Sequence, residues 1–292
     1  GYGGRGSLAP WTKEIHNGAD DNSSGTSVLL EIAQQLGSRE TASRRRIVFI
    51  AFSAEERGLI GSDRYVKEPL IALNKTIAMV NLDMVGRLTD NKLIITGTGT
   101  SDVWEPLLDK LNQNSKFEIT RKPEGVGPSD HQSFYLKDIP VLHLFTGLHE
   151  FYHRPSDDFK TINFEGMDRI TALTTEIIVS IAQADERPNF KKAEKKRNVE
   201  NTGGDRPYFG SIPDYSDNID GLPLTGVAKN GPAEKAGIKP KDVVVELGKY
   251  KIGGIEDFDN ALRKFKANDK VPVKVLRAGK ELTLTITLGS PR

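Results

Sequence analysis

Arg46-Ile47-Val48-Phe49-Ile50-Ala51-Phe52-Ser53-Ala54-Glu55-Glu56 is the stretch on which the reading of this chain turns. From Arg46 to Ser53 it is almost continuously apolar, the pattern expected of a strand buried on both faces. Two adjacent carboxylates follow at its C-terminal end. Open α/β sheets build their sites at that end of their strands. Carboxylates there are costly unless they are paired, metal-bound or solvated, so Glu55 and Glu56 mark either a solvated loop or a site.

Working outward, two more apolar runs read as buried strands, Ile77 to Met84 and Pro140 to Phe145, with a shorter one over Leu93 to Thr96. Helical spacing lies between them. Val28, Leu29, Ile32 and Leu36 share one face of a helix over 24–36, with Ser23 and Ser24 as caps and Gly37 as its stop. Further helices fit 58–67, 102–112, 130–136 and 164–184. Buried strands alternating with helices predict an α/β fold, a three-layer sandwich around a mostly parallel or mixed central sheet. That region spans 1–184. Residues 185–206 are charged and poor in apolar side chains, which predicts a solvated linker or, failing that, a basic docking patch. Residues 207–292 are β-rich, with short strands separated by Asn230-Gly231-Pro232, Gly253-Gly254 and Ala278-Gly279.

Composition removes several classes of function. The 292 residues carry 41 Lys+Arg against 40 Asp+Glu, a net charge of +1, which argues against nucleic-acid binding by bulk charge. There is no cysteine, so disulfides, thiolate zinc sites and cysteine nucleophiles are excluded. No stretch approaches the roughly 18 apolar residues of a membrane span.

Four places could carry chemistry. Asp20 and Asp21, in Gly18-Ala19-Asp20-Asp21-Asn22-Ser23-Ser24-Gly25, are either an acidic first turn or ligands held in a loop before a helix. Glu55 and Glu56 form the second place. Asp83 ends the apolar run that contains Asn81-Leu82-Asp83-Met84 and is either structural or a ligand. His153 lies in the loop Phe151-Tyr152-His153-Arg154-Pro155-Ser156-Asp157, whereas His143 sits in a strand pattern that suits a core histidine. Oxygen and imidazole donors without thiolate suit zinc in a hydrolytic site.

These motifs come in a series: GADDNSSG, VFIAFSAEERGLIGS, NLDMVGR, GPSDHQSF and YHRPSDD. In order and spacing the series resembles the M28 family of zinc aminopeptidases. The resemblance implies a co-catalytic site with two zinc ions and a zinc-exopeptidase type of fold. Asp21 would bridge the ions, Glu56 and His153 would complete one site, and Asp83 would serve the other. Glu55 would be the general base that takes a proton from water at the metals. Asp130 and His131, in Ser129-Asp130-His131, would stand behind the ligands, and Asp157 would orient the His153 imidazole. A cis peptide would fall at Asp21–Asn22. The family's remaining ligand, a His in an HxD motif, would precede Gly1, so the chain is expected to be N-terminally truncated and to lack one strand. His16 is a weak substitute. The tyrosine that some members place before the SDH motif has no counterpart in Glu124-Gly125-Val126-Gly127-Pro128.

The C-terminal region resembles a bacterial PDZ domain. Tyr208-Phe209-Gly210-Ser211-Ile212 looks like its carboxylate-binding loop and first groove strand, and GVAKNGPAEKAGIKPKDVVVELG like its commonest stretch. The resemblance implies peptide binding by strand addition, with Phe258 and Leu262 lining the groove or else belonging to the core. The function expected is removal of N-terminal residues from peptides, with the PDZ domain holding a peptide or partner C-terminus. Alternatives are carboxypeptidase or glutaminyl cyclase chemistry on the same scaffold, or an inactive fragment that only binds peptides. The resemblance also points to export, periplasmic or extracellular, in a bacterium.

Overall fold

The structure is a computed structural model that describes residues 7, 9, 12–38, 44–193, 207–213, 220–228 and 230–290. It divides into two compact units. One comprises Gly18–Thr146 with Asp157–Lys195, the other Gly1–Asn17, Gly147–Ser156 and Lys196–Arg292.

The first unit is built on a mixed sheet of strands β1 (Met79–Leu82), β2 (Lys92–Thr96), β3 (Glu118–Lys122) and β4 (Val141–Phe145), ordered β1-β4-β2-β3. β1 runs parallel to β4 and β2 parallel to β3, while β2 and β4 are antiparallel. Alternation along each strand splits its side chains between two layers. Val80, Leu82, Leu93, Ile95, Leu142 and Leu144 face helices α1 (Gly25–Gly37), α3 (Trp104–Ser115) and α5 (Phe164–Gln183), where Val28, Ile32, Trp104, Leu108, Ile170 and Ile177 close the core. Met79 and Val141 face the other way, against Val66 of α2 (Ile60–Lys67) and Phe134 of α4 (His131–Tyr135). The consecutive parallel strands β2 and β3 are joined by the long connection that such a pairing requires, and α3 fills it.

The strand expected over 46–53 is not formed. These residues run without regular structure from Arg46 to Phe52, and Val48 and Phe49 are 46% and 36% exposed. An apolar run becomes a buried strand only when neighbours supply its ladder, and among the described residues no strand pairs with it. Only its end is anchored, through Phe52, whose ring meets Tyr65 and Phe134. Conversely, β3 formed where no strand was expected. Residues 188–193 follow the first unit: the Lys191 N–H donates to the carbonyl of Thr100 at 2.8 Å, and Phe190 packs on Tyr135. The rest of the expected linker, 194–206, lies outside the described residues.

In the second unit the C-terminal region forms a sheet ordered β10-β9-β7-β6-β5, with β8 paired to β7. Its strands are β5 (Ser211–Pro213), β6 (Leu222–Val227), β7 (Val243–Leu247), β8 (Tyr250–Lys251), β9 (Lys270–Arg277) and β10 (Lys280–Thr287), joined by helices α6 (Pro232–Lys235) and α7 (Ile255–Leu262). Val244, Leu247, Val271, Val273, Val275 and Ile286 pack beneath Phe258 and Leu262. Among the described residues no helix is long and apolar enough to cross a membrane.

Candidate metal centre

Asp21 sits in a turn that the surrounding chain holds in detail. Gly18 enters it at φ +64, and a Cβ there would lie 2.4 Å from the Asp21 carbonyl oxygen. The Asp21–Asn22 peptide is cis. Asp157, 1% exposed, accepts from the backbone N–H of Asp20 with both carboxylate oxygens at 3.1 Å, and from that of Asp21 at 3.1 Å. The turn is then tied to the end of β1. Asn22 Nδ2 donates to the Leu82 carbonyl at 3.0 Å, and Asn22 Oδ1 accepts from the Met84 N–H at 3.2 Å. The fully buried Asp20 accepts from the Gly86 N–H at 2.7 Å, and Ser24 Oγ accepts from the Val85 N–H at 3.0 Å.

Glu55 and Glu56 open a short helical turn, Glu55–Arg57, entered through Ala54 at φ +58. Glu55 is half-buried and Glu56 exposed. Asp83 follows β1 directly, and its N–H continues the ladder to the Leu144 carbonyl at 3.3 Å. Ser129 Oγ donates to Asp83 Oδ2 at 2.6 Å and accepts from Asn81 Nδ2 at 2.7 Å. Asn81, Ser129 and Asp83 thus form a chain of bonds that fixes the carboxylate. His153 is held at φ +54, uncommon for a residue with a side chain, with its ring stacked on Tyr152 at 3.7 Å.

One ligand atom from each of Asp21, Glu56 and His153 lies within 4.8 Å of the others. Asp83 falls outside that group but shares its field. Burial, then the charges of Asp83, Glu56, Asp130 and Asp21, push Glu55 up to about 8. Burial likewise raises Asp83 to about 7, the Ser129 hydrogen bond working against it and Asp21, Asp130 and Glu56 with it. Carboxylates crowded beside an imidazole are a donor set that fits zinc.

Asp130 and His131 stand near this cluster in different ways. Asp130 adds its charge to Glu55 and Asp83 and is itself pushed up by burial. His131 is fully buried, its ring stacked 4.6 Å from that of His143, and burial holds it well below the usual histidine range. His16 is engaged elsewhere: its Nε2 meets Ser7 Oγ at 2.7 Å and its Nδ1 the Glu14 carbonyl at 3.1 Å.

Two expectations need correction. Asp157 spends its carboxylate on the backbone of the Asp21 turn and not on the His153 imidazole, because the chain folds the two loops side by side. In the C-terminal region Phe209, Phe258 and Leu262 are at most 2% exposed and belong to the core, the two phenyl rings meeting edge to face at 4.9 Å. Buried to that degree they offer a ligand no surface. Gly210 does turn the chain at φ +84 before β5, beside Tyr208 and Ser211, which are half-buried; Ile212 follows in β5. Sequence reasoning missed Asn81 and Asn22, did not foresee that Asp20 would bond the Gly86 N–H, and did not separate Ser129 from its motif. Their only signal was position beside a ligand.

A mixed sheet whose strand ends and following loops gather carboxylates and an imidazole defines a metallohydrolase type of centre. The chain belongs to peptidase family M28, whose family model matches residues 7–178, and a PDZ domain model matches residues 199–288. It is 33% identical over 194 residues to the aminopeptidase YwaD of Bacillus subtilis, covering 61% of this chain and 41% of that protein. The solved structure of BSAP, a zinc aminopeptidase from Bacillus subtilis, matches with a TM-score of 0.52 and 31% identity, over 61% of this chain and 46% of that one. A probable periplasmic serine endoprotease of the DegP-like kind from Marinomonas is 36% identical over 72 residues, 25% of this chain and 15% of its own. The chain therefore spans less than half the length of these relatives.

Proposed function

We propose that this chain carries the catalytic centre of a zinc aminopeptidase joined to a peptide-binding PDZ domain. The observation that carries the reading is the convergence of Asp21, Glu56 and His153 beside Glu55. In this reading Asp21, Glu56 and His153 hold one zinc ion, and Asp21 and Asp83 contribute to a second. Zinc, when bound, supplies Lewis acidity at the scissile carbonyl and lowers the pKa of water. Glu55 acts as the proton carrier. Its carboxylate, half-buried among the proposed ligands, would accept a proton from water and return it to the leaving amine. Ser129 and Asn81 keep the Asp83 carboxylate in one orientation, and Asp157 does the same for the Asp21 turn.

We take the domains as 1–184 and 207–292 with a linker at 185–206. The Tyr208–Ile212 segment is the candidate for peptide attachment, Gly210 giving its turn. Export to the periplasm or beyond is part of the proposal and leans on the DegP-like relative.

The test is zinc content with a terminus panel. At least one zinc ion per chain after loading, with release of N-terminal residues from free peptides and none from N-acetylated ones, is the expected result. Release from the C-terminus, or cyclisation of N-terminal glutamine, would replace it with the other chemistries. Peptide binding without any turnover in the zinc-loaded protein would leave only a binding module.

A further inference from the structure

Within the second unit a cavity of about 420 Å³ opens between the loop 147–156 and β6. Its volume is in the range that small-molecule and side-chain sites occupy. Phe151, Val227 and Pro240 give it apolar walls, while Arg154 and Ser156 give it polar ones. Arg154 is the unusual member. It is half-buried, and its guanidinium makes no hydrogen bond or ion pair among the described residues. The only hydrogen bond the residue makes among the described residues is through its backbone, to the Phe151 carbonyl at 3.0 Å. Glu150, the acidic residue of the lining, is exposed and makes no ion pair among the described residues.

A guanidinium cannot shed its charge, and the remaining N–H donors of a half-buried one seek an acceptor. The geometry of its fork matches a carboxylate, which it binds through two parallel bonds. An apolar cavity with one such cation and one hydroxyl is therefore a receptor for a short chain that ends in an anion. We propose that this cavity is a subsite for a carboxylate-bearing peptide, with Arg154 as the anion anchor and the PDZ-type domain as its second wall. Arg154 follows His153 directly. A peptide held there is held beside the proposed zinc ligand, so the subsite selects among substrates. The proposal takes its ligand class, a peptide, from the function proposed above. The carboxylate has two sources, an acidic side chain or the peptide's own C-terminus.

The experiment is calorimetric binding to the full chain with N-acetylated tetrapeptides, which the proposed activity does not cleave. Four peptides cover the cases: glutamate with a free C-terminus, glutamate with an amidated one, glutamine with a free one, and neither charge. The wild type is expected to bind at least one singly charged peptide about tenfold more tightly than the neutral peptide. The pair that differs identifies the source. Arg154→Gln should erase that difference and Arg154→Lys should keep part of it. Pro240→Trp, which fills the cavity from the opposite wall, should erase it with the arginine intact and guards against misfolding of the arginine variants. A difference that survives Arg154→Gln and Pro240→Trp belongs to the PDZ groove and overturns the proposal, as does the absence of any difference. Turnover of unblocked neutral peptides is recorded separately, because its loss tests the peptidase reading and leaves the binding result standing.

Discussion

Asp242 and the acids around Asp83 bring the same functional group into a protein interior in opposite company. Asp242 is fully buried, and burial alone would push its carboxyl up. Arg277 reverses that, with Nε on Oδ1 and Nη2 on Oδ2, both at 2.7 Å, while the Lys239 N–H adds a third bond at 2.9 Å. The net effect holds Asp242 below the usual carboxylate range. Around Glu55 and Asp83 the neighbours are other acids, and both groups are driven toward neutrality. The first arrangement satisfies itself and serves stability. The second leaves Glu55 and Asp83 raised by burial and by one another, the company in which a proposed metal site differs from a structural ion pair.

Removing the proposed proton carrier should have the largest effect. Glu55→Gln is expected to lower peptide turnover by about 10²–10⁴-fold with zinc content unchanged, read by steady-state rates and metal analysis. Full activity in that variant would dissolve the contrast. On the structural side, Arg277→Ala should destabilise the C-terminal region by about 3–5 kcal/mol in denaturant melts, because it strands a buried charge. Adding Asp242→Asn should recover part of the loss.

Smaller effects sharpen the comparison. Asp157→Asn loosens the turn that carries Asp21, so zinc affinity should fall by about 10–100-fold in competition with a chelator. A pH series should separate the chelated protein from the zinc-loaded one. Carboxyls whose pKa rises on folding lend stability below about pH 4 and lose it as pH climbs through 7 to 8. The melting temperature gap between loaded and chelated protein should therefore widen from pH 5 to pH 8. His143, held down to about 4 by burial, acts in the opposite sense, its contribution fading as pH falls from 6.5 toward 4. It acts on both forms alike and cancels in the difference. A gap that stays constant would mean that the acids do not meet the metal.

Much of the fold was legible because helix and strand periods differ. Val28, Ile32 and Leu36 marked α1, and the apolar runs marked β1 and β4. β3 was not legible, since Glu118, Thr120, Arg121 and Lys122 give an edge strand no apolar signature. The run from Arg46 misled for a related reason: apolar character records what a segment could bury, and pairing decides whether it does. The candidate ligands were legible as motifs. Their supports were not, because Asn81 and Ser129 lie 48 residues apart and meet only when the sheet is folded. Asp157, four residues past His153, suggested a local partner and found a distant one. Phe258 and Leu262, at i and i+4, have the same spacing whether they line a groove or fill a core.

The partly exposed stretch from Ile47 to Phe52 also bears on how the purified chain behaves as a colloid. Six residues without charge or proline, rich in β-branched and aromatic side chains, have the composition of an aggregation-prone window. The chain as a whole has a net charge of +1, too little for molecules to keep one another apart. Arg44, Arg45 and Arg46 stand at the head of the window as gatekeepers, and nothing comparable guards it before Glu55. A charge placed at exposed Val48 or Phe49 is therefore expected to raise the workable concentration of the chain.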